Sequence, residues 1–162
     1  MTQAYPAQGV VFQLGYVTWD LDRAVDLFRR RYGITEFYWL DNRRRPPLPR
    51  SAPPLQSMLA YRGQMMIEIL QPEREKPGIY SEALRADGGV SLHHLGYMVE
   101  HGRIGPLAAE FEAQGVEVPV LNENPQGISV LYADTRRETG LYSEYVSVCP
   151  GATTLFDRIP GR

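Results

Sequence analysis

The sequence has little cysteine and no long hydrophobic run. Its single cysteine, Cys149, cannot form an internal disulfide, and no cysteine pair is present to bind a structural zinc ion. No stretch approaches the roughly 20 apolar residues that a membrane-spanning helix needs. Residues 1–8 lack the basic and apolar segments of a signal peptide. We therefore expect a cytoplasmic protein that does not bind a membrane.

An excess of charge of either sign is also missing. The formal net charge is −2 at pH 7 and the isoelectric point is about 5.9. Such a balance provides no general attraction to nucleic acid or to anionic lipid. The 162 residues are enough for one domain with a substantial core. The composition leaves a small molecule as the expected binding partner.

What the sequence does contain is a repeat of two short motifs. The motif QLGYV at residues 13–17 recurs as HLGYM at 94–98, and MIEIL at 66–70 recurs as YSEYV at 142–146. The offset is 81 residues for the first motif and 76 residues for the second, so the internal spacing is nearly constant. A unit of this length is too long for a solenoid repeat. It indicates a duplicated half-domain.

Each half has the pattern of a strand, a helix and three strands. β-Branched and aromatic residues at 10–17 predict a central strand, and apolar residues at helical spacing predict a helix over 21–32. The second half begins near Ser91 and repeats this order. The other predicted elements are a helix over 106–114 and strands at 36–40, 57–61, 64–71, 117–121, 128–133 and 141–148.

We therefore predict an α+β fold. Two tandem βαβββ modules pair because neither can cover its own sheet alone, and their curled mixed sheets surround a central metal-binding cleft. A single domain covers residues 1–162, with module 1 at about 10–72 and module 2 at about 91–149. The connector is 73–90 and the C-terminal tail is 150–162.

The repeat places a polar residue in each of four otherwise apolar strands. Gln13 and His94 occupy equivalent positions in the first strands, and Glu68 and Glu144 lie in the last strands. A buried carboxylate without a partner costs several kcal/mol, so a cation is expected beside it. Carboxylate, amide and imidazole groups suit a divalent metal ion, here Zn, Ni, Co, Mn, Mg or Fe. Pairing with distant arginines, or exposure to solvent, is the alternative.

The adjacent histidines His93 and His94 require a choice. Side chains alternate along a strand, so only one of the two is expected to face the cleft. The repeat selects His94, because it aligns with Gln13. We therefore expect His93 to pack against the helix layer.

Three stretches carry a resemblance to a known family: LHHLG at 92–96, IEILQP at 67–72 and YADT at 132–135. With the duplicated βαβββ halves, they resemble the vicinal oxygen chelate superfamily. This superfamily includes glyoxalase I, methylmalonyl-CoA epimerase, extradiol dioxygenases and bleomycin resistance proteins. The sequence looks most like the glyoxalase and epimerase-like branch, over about residues 10–148.

The resemblance implies that Gln13, Glu68, His94 and Glu144 bind the metal, a set similar to that of eukaryotic glyoxalase I. Extradiol dioxygenases use two histidines and one carboxylate, and this chain departs from that set at Gln13 and Glu68. The implied enzyme is an isomerase, epimerase or lyase that stabilises an enolate or enediolate of a mainly apolar oxygenated small molecule. Glu144 or Glu68 would move the proton, and we favour Glu144.

Two other functions remain open. A non-catalytic protein that binds a drug or aromatic compound is expected to lose the ligand set, and a ring-cleaving dioxygenase is expected to have different ligands. We also expect a homodimer.

Residues near the predicted cleft give hypotheses about substrate binding. Methionine and aromatic side chains such as Met66, Met98 and Tyr142 form adaptable apolar pockets, although ordinary core packing is the alternative. The proline-rich insert at 42–56 carries four arginines, of which Arg45 is our candidate for binding a substrate anion. A solvated loop is the alternative there.

Overall fold

The first half of the chain forms the predicted strand, helix and three strands. The computed structural model describes residues 9–162. The order is β1 (Val10–Val17), α1 (Leu21–Tyr32), β2 (Tyr38–Asp41), β3 (Leu55–Arg62) and β4 (Met65–Pro72). Helix α1 begins after Asp20, whose carboxylate accepts a hydrogen bond from the Arg23 backbone N–H at 3.0 Å, and ends at the left-handed Gly33.

The second half repeats this order and adds short helical turns. The 3-10 helix Gly78–Ala83 precedes it, and the 3-10 helix Leu155–Arg158 follows it. A single helical turn in the connection between the last two strands was not predicted. The elements are β5 (Ser91–Met98), α2 (Ile104–Ala113), β6 (Val120–Asn122), β7 (Ile128–Ala133), α3 (Arg136–Thr139) and β8 (Tyr142–Val148).

All eight strands belong to one curled sheet, in the order β2-β3-β4-β1-β5-β8-β7-β6. β1 pairs in parallel with β4, and β5 pairs in parallel with β8. The two halves meet where β1 and β5 pair in antiparallel fashion. The α+β fold of two βαβββ modules is therefore confirmed, and the boundaries drawn for a domain over 1–162 stay a prediction.

The two helices cover the outer face of the sheet. Helix α1 packs on the first half through Leu21, Ala24, Val25 and Phe28. Helix α2 packs on the second half, where Phe111 contacts the ring of Tyr145 at a centroid distance of 5.5 Å. The inner face of the sheet is therefore the face available for a cleft. No helix within residues 9–162 is long and apolar enough to cross a membrane.

A β-bulge at the centre of the sheet contradicts one expectation. Gly15 pairs with His94, but the next residue, Tyr16, pairs with Leu92, so His93 is an extra residue without a partner on β1. The bulge interrupts side-chain alternation. The His93 ring lies beside His94, with 3.0 Å between their Nδ1 atoms, so the expectation that His93 packs against the helix layer is wrong.

Three segments cover the inner face. The insert crosses from the first half to the second, where Arg50 donates hydrogen bonds to the backbone oxygen of Val118 and accepts one at its own carbonyl from Leu121. The 3-10 helix Gly78–Ala83 buries Tyr80 completely against the strands. The C-terminal segment lies on β3, where the Tyr61 N–H donates to the Pro160 oxygen at 2.7 Å.

Candidate metal centre

The four residues selected from the repeat meet at the middle of the inner face. Gln13 Nε2 donates to Glu68 Oε2 at 2.6 Å and lies 3.1 Å from His94 Nε2. His94 Nε2 lies 3.4 Å from Glu68 Oε2 and 3.3 Å from Glu144 Oε2. The ligand atoms of Glu68, His94 and Glu144 all fall within 4.8 Å of one another. Side chains from four strands and both halves thus form a single cluster.

Strand register explains part of this convergence. On β1, Gly15 lies beside Glu68 of β4 on one side and beside His94 of β5 on the other. A Cβ atom at Gly15 would lie only 1.8 Å from the His94 ring. Glycine is therefore required at this position, because its missing side chain leaves the space that the imidazole fills.

The second half repeats this arrangement. Gly96 on β5 lies beside Glu144 of β8 and beside Gln13 of β1. A Cβ atom at Gly96 would lie 2.6 Å from the Gln13 Cβ. Neither glycine was expected to shape the site. The signal was present, since Gly15 and Gly96 occupy the same place in the two copies of the motif.

The cluster is buried and carries opposing charges. His94 is 0% exposed, Gln13 is 2% exposed, and the Glu68 side chain is 13% exposed. Burial raises the pKa of Glu68 above its ordinary value, although the nearby His94 opposes that shift. Burial alone would lower the pKa of His94, but the charges of Glu144 and Glu68 outweigh it and raise the pKa to about 9. The two carboxylates thus favour a cation between them.

One carboxylate oxygen in the cluster is unsatisfied. Glu144 Oε2 is buried and has no hydrogen-bond partner within residues 9–162; its 3.3 Å approach to His94 is a charge contact without hydrogen-bond geometry. Rotating the Gln13 amide by 180° would direct Oε1 instead of Nε2 toward the other three groups. Two carboxylates, one imidazole and one amide oxygen form a donor set that suits a divalent metal ion.

His93 and three tyrosines surround one side of the cluster. His93 is 3% exposed, and its ring stacks on Tyr142 with a centroid distance of 4.8 Å. Burial, followed by the nearby His94, lowers the pKa of His93 to about 3. Burial also raises the pKa of Tyr80 and Tyr132 far above its ordinary value, so both phenols stay protonated. This side of the cluster is therefore aromatic and uncharged.

The predicted substrate-binding residues lie in different environments. Met66 is 1% exposed and packs in the core with Leu59 and Ile159, on the strand face of Glu68. Half-buried Met98 shares a strand face with His94 and follows it on β5. Tyr142 lies between the His93 ring and the Arg136 guanidinium, which is 4.6 Å from the ring centroid.

The arginines of the insert do not form one basic cluster. Arg43 pairs with Asp41 at 2.7 Å, and Arg50 pairs with Glu112 at 2.8 Å. Arg45 is exposed in a turn of the insert. Two of the four arginines thus form ion pairs within the protein.

Two features near the cluster were not expected. The Ser57 hydroxyl is buried and has no hydrogen-bond partner in the part of the chain described. Its strand neighbour Leu59 pairs with Glu68, so Ser57 and Glu68 project from the same face of the sheet. A cavity of about 410 Å³ has His93, Tyr142 and Arg136 in its wall, and none of the four cluster residues lines it. Neither feature has a local sequence signal.

Comparison with known proteins gives one family and several similar folds. The model of the glyoxalase/bleomycin resistance protein/dioxygenase superfamily matches residues 12–132. A methylmalonyl-CoA epimerase variant from Streptomyces coelicolor, in complex with 2-nitronate-propionyl-CoA, is 18% identical with a TM-score of 0.60, covering 91% of this chain and 99% of its own. The methylmalonyl-CoA epimerase from Mycobacterium tuberculosis is 15% identical with a TM-score of 0.60, covering 93% and 94%. Comparison with curated proteins gives no match.

Proposed function

Because the chain belongs to the glyoxalase/bleomycin resistance protein/dioxygenase superfamily, we propose that it is a divalent-metal-dependent isomerase or epimerase. Gln13, Glu68, His94 and Glu144 are the proposed ligands. The observation that carries this proposal is the buried cluster in which the two halves each supply two polar side chains to one point. The unsatisfied Glu144 oxygen supports it further, since a buried acceptor without a partner costs about 1–3 kcal/mol.

The proposed chemistry is proton transfer next to a substrate carbonyl. A bound divalent ion supplies Lewis acidity, which lowers the pKa of the neighbouring C–H bond. The chain itself must then supply a base that removes the proton and an acid that returns it. The two carboxylates are the candidates within reach of the cluster.

We favour Glu144 as the base. Its Oε2 atom is buried, has no hydrogen-bond partner within residues 9–162 and is therefore available to a substrate proton. Glu144 would take the substrate proton at a carboxylate oxygen. Return of that proton to the neighbouring carbon gives an isomer, and protonation of the same carbon from the opposite face by Glu68 gives an epimer, with no change of redox state in either case.

The proposed substrate is small, oxygenated and mainly apolar. Tyr142 and Met98 flank the cluster along the strands, and the Ser57 hydroxyl, which has no hydrogen-bond partner within residues 9–162, lies on the same inner face. Burial of the cluster excludes bulk water from the reacting atoms. A lyase reaction through the same type of carbanion is included in this proposal.

We also propose that the protein is a homodimer in the cytoplasm. Size-exclusion chromatography with light scattering tests the dimer: a mass of twice 18.4 kDa is expected, and a mass of one chain would contradict it.

Solvent exchange tests the proposed reaction. Protein loaded with zinc, nickel, cobalt or magnesium is incubated under nitrogen in deuterated water with methylmalonyl-CoA, and with 2-oxo aldehyde adducts of thiols. We expect the acidic C–H signal of an accepted compound to disappear from the proton NMR spectrum. Glu144→Gln should abolish exchange while retaining binding, because it removes the base and keeps the side-chain shape.

Two results would redirect the assignment. Turnover that requires Fe(II) and dioxygen, with no exchange under nitrogen, would indicate a ring-cleaving dioxygenase. Binding of these compounds without exchange in any metal form would indicate a non-catalytic binding protein.

A further inference from the structure

We propose that His93 is a positioning residue that fixes the proton on His94, so that the His94 Nε2 atom is free to bind a metal ion. This inference rests on the proposed metal site. It assigns a role to a buried polar ring that the proposed chemistry does not use. The structural basis is a line of hydrogen bonds from Ile79 through His93 to His94.

The first step concerns the outer end of this line. His93 Nε2 lies 3.1 Å from the carbonyl oxygen of Ile79. A carbonyl oxygen only accepts hydrogen bonds, so Nε2 of His93 must carry the hydrogen. Its Nδ1 atom is then bare and acts as an acceptor.

The second step concerns His94. Its Nε2 atom faces Glu68 and Glu144 at 3.4 Å and 3.3 Å, so a metal ion held by these carboxylates must bind that nitrogen. A metal-bound nitrogen carries no hydrogen, and the hydrogen of a neutral imidazole is then on Nδ1. His94 Nδ1 lies 3.0 Å from the bare Nδ1 of His93 and donates to it. Each ring nitrogen in the line therefore has a defined role.

The bulge is what brings the two rings together. Without the extra residue, alternation would send the side chain of His93 to the helix face of the sheet. The equivalent residue of the first half is Phe12, which is also an extra residue in the same strand pair. It precedes Gln13, whose amide has no tautomer to fix. A polar ring is needed only in the second half.

Packing holds the His93 ring in this orientation. It stacks on Tyr142 at an interplanar angle of 23°, and the Tyr80 ring lies 4.8 Å away on a tilted plane. With 3% of the residue exposed, the ring has little room to turn. The orientation is therefore set before any metal ion binds.

Zinc affinity of three variants tests the proposal. His93→Phe keeps the ring packing and removes both nitrogens, and His93→Asn keeps an acceptor near the place of Nδ1. The exposed His101, changed to Asn, is the matched control. Loss of such a supporting hydrogen bond lowers metal affinity by about 10–100-fold. We expect a loss of this size in His93→Phe, recovery of most of the affinity in His93→Asn, and no change in the control.

Two-bond proton–nitrogen NMR correlation of the metal-free wild type adds a readout that packing alone would not move. We expect His93 to carry its hydrogen on Nε2. Circular dichroism of each metal-free variant establishes that it is folded.

The outcomes separate this proposal from the proposed function. Equal zinc affinity in wild type and His93→Phe, or a hydrogen on Nδ1 of His93, would overturn the positioning role alone. A wild type that binds no zinc would overturn the metal site itself.

Discussion

Replacing Gly15 by alanine should remove metal binding, although none of the four proposed ligands is mutated. The new Cβ atom would lie 1.8 Å from Cε1 and 2.0 Å from Nε2 of His94, whereas real Cβ contacts are essentially never shorter than 3.0 Å. The imidazole or the strand must therefore move by more than 1 Å. His94 is fully buried, so the ring cannot move away into solvent.

The size of the effect follows from this geometry. A zinc–nitrogen bond is about 2.0–2.1 Å long and tolerates deviations of about 0.2 Å, so a shift of this size breaks it. Overpacking a core by a methyl group costs about 1–3 kcal/mol. For a chain of this length, each kcal/mol lowers Tm by about 2–4 °C, so we expect Tm to fall by about 2–12 °C.

Gly63→Ala is the matched control. Gly63 has a left-handed φ of 61° and no atom within 4 Å of an added Cβ, so alanine there strains only the turn. Such strain costs about 1–2 kcal/mol and should leave metal binding intact. Zinc titration and thermal unfolding of both variants make the comparison. Full zinc affinity in Gly15→Ala would refute the account of how His94 is placed.

Three further predictions concern the core, an ion pair and the insert. Met66→Ala should lower the free energy of unfolding by about 2–5 kcal/mol in urea titration, because this side chain is a buried part of the core; a loss below 1 kcal/mol would contradict that position. The hydrogen bond from Arg136 holds the pKa of Asp134 below its ordinary value, so the stability it contributes is present above about pH 4 and is lost as the pH falls further. Asp134→Asn should therefore be less stable than the wild type at pH 7 and less sensitive to acid below pH 4, and parallel stability curves would be evidence against this interaction. Arg45→Gln should raise KM for an anionic substrate with little change in kcat. An unchanged KM would show that Arg45 is a solvated surface residue that does not bind the substrate.

Much of the fold was predictable because both halves of the chain show the same order of strand and helix signals. The strands β1 and β7 and the helix α1 have the predicted boundaries. β1 is a run of β-branched and aromatic residues, and α1 has apolar residues at helical spacing and ends at Gly33. The repeat also selected four residues that the structure brings together. These residues lie far apart in the sequence, but they could still be selected, because duplicated halves place equivalent residues at equivalent points of one sheet.

The rest depended on long-range contacts that local patterns do not contain. The bulge at His93 arises from the register between β1 and β5. Side-chain alternation alone therefore placed the His93 ring on the helix face of the sheet, whereas the structure places it beside His94. Strand β6 begins at Val120 instead of residue 117, and Val118 before it packs with helix α2. The β3–β4 turn is Gly63–Gln64, one residue later than predicted. The hydrogen bonds of the insert and of the C-terminal segment join distant parts of the chain.

Metal content of purified protein tests the central claim most directly. Wild type, Glu68→Ala and His94→Ala are incubated with excess zinc, passed through a desalting column and measured by elemental analysis. Glu75→Ala and His101→Ala remove the same residue types at exposed positions and serve as controls. We predict about one zinc per chain in wild type and both controls, and a loss of most of it in Glu68→Ala and His94→Ala, since too few ligands remain. A full equivalent retained in both of these variants, or no zinc in the wild type, would contradict the proposed metal centre.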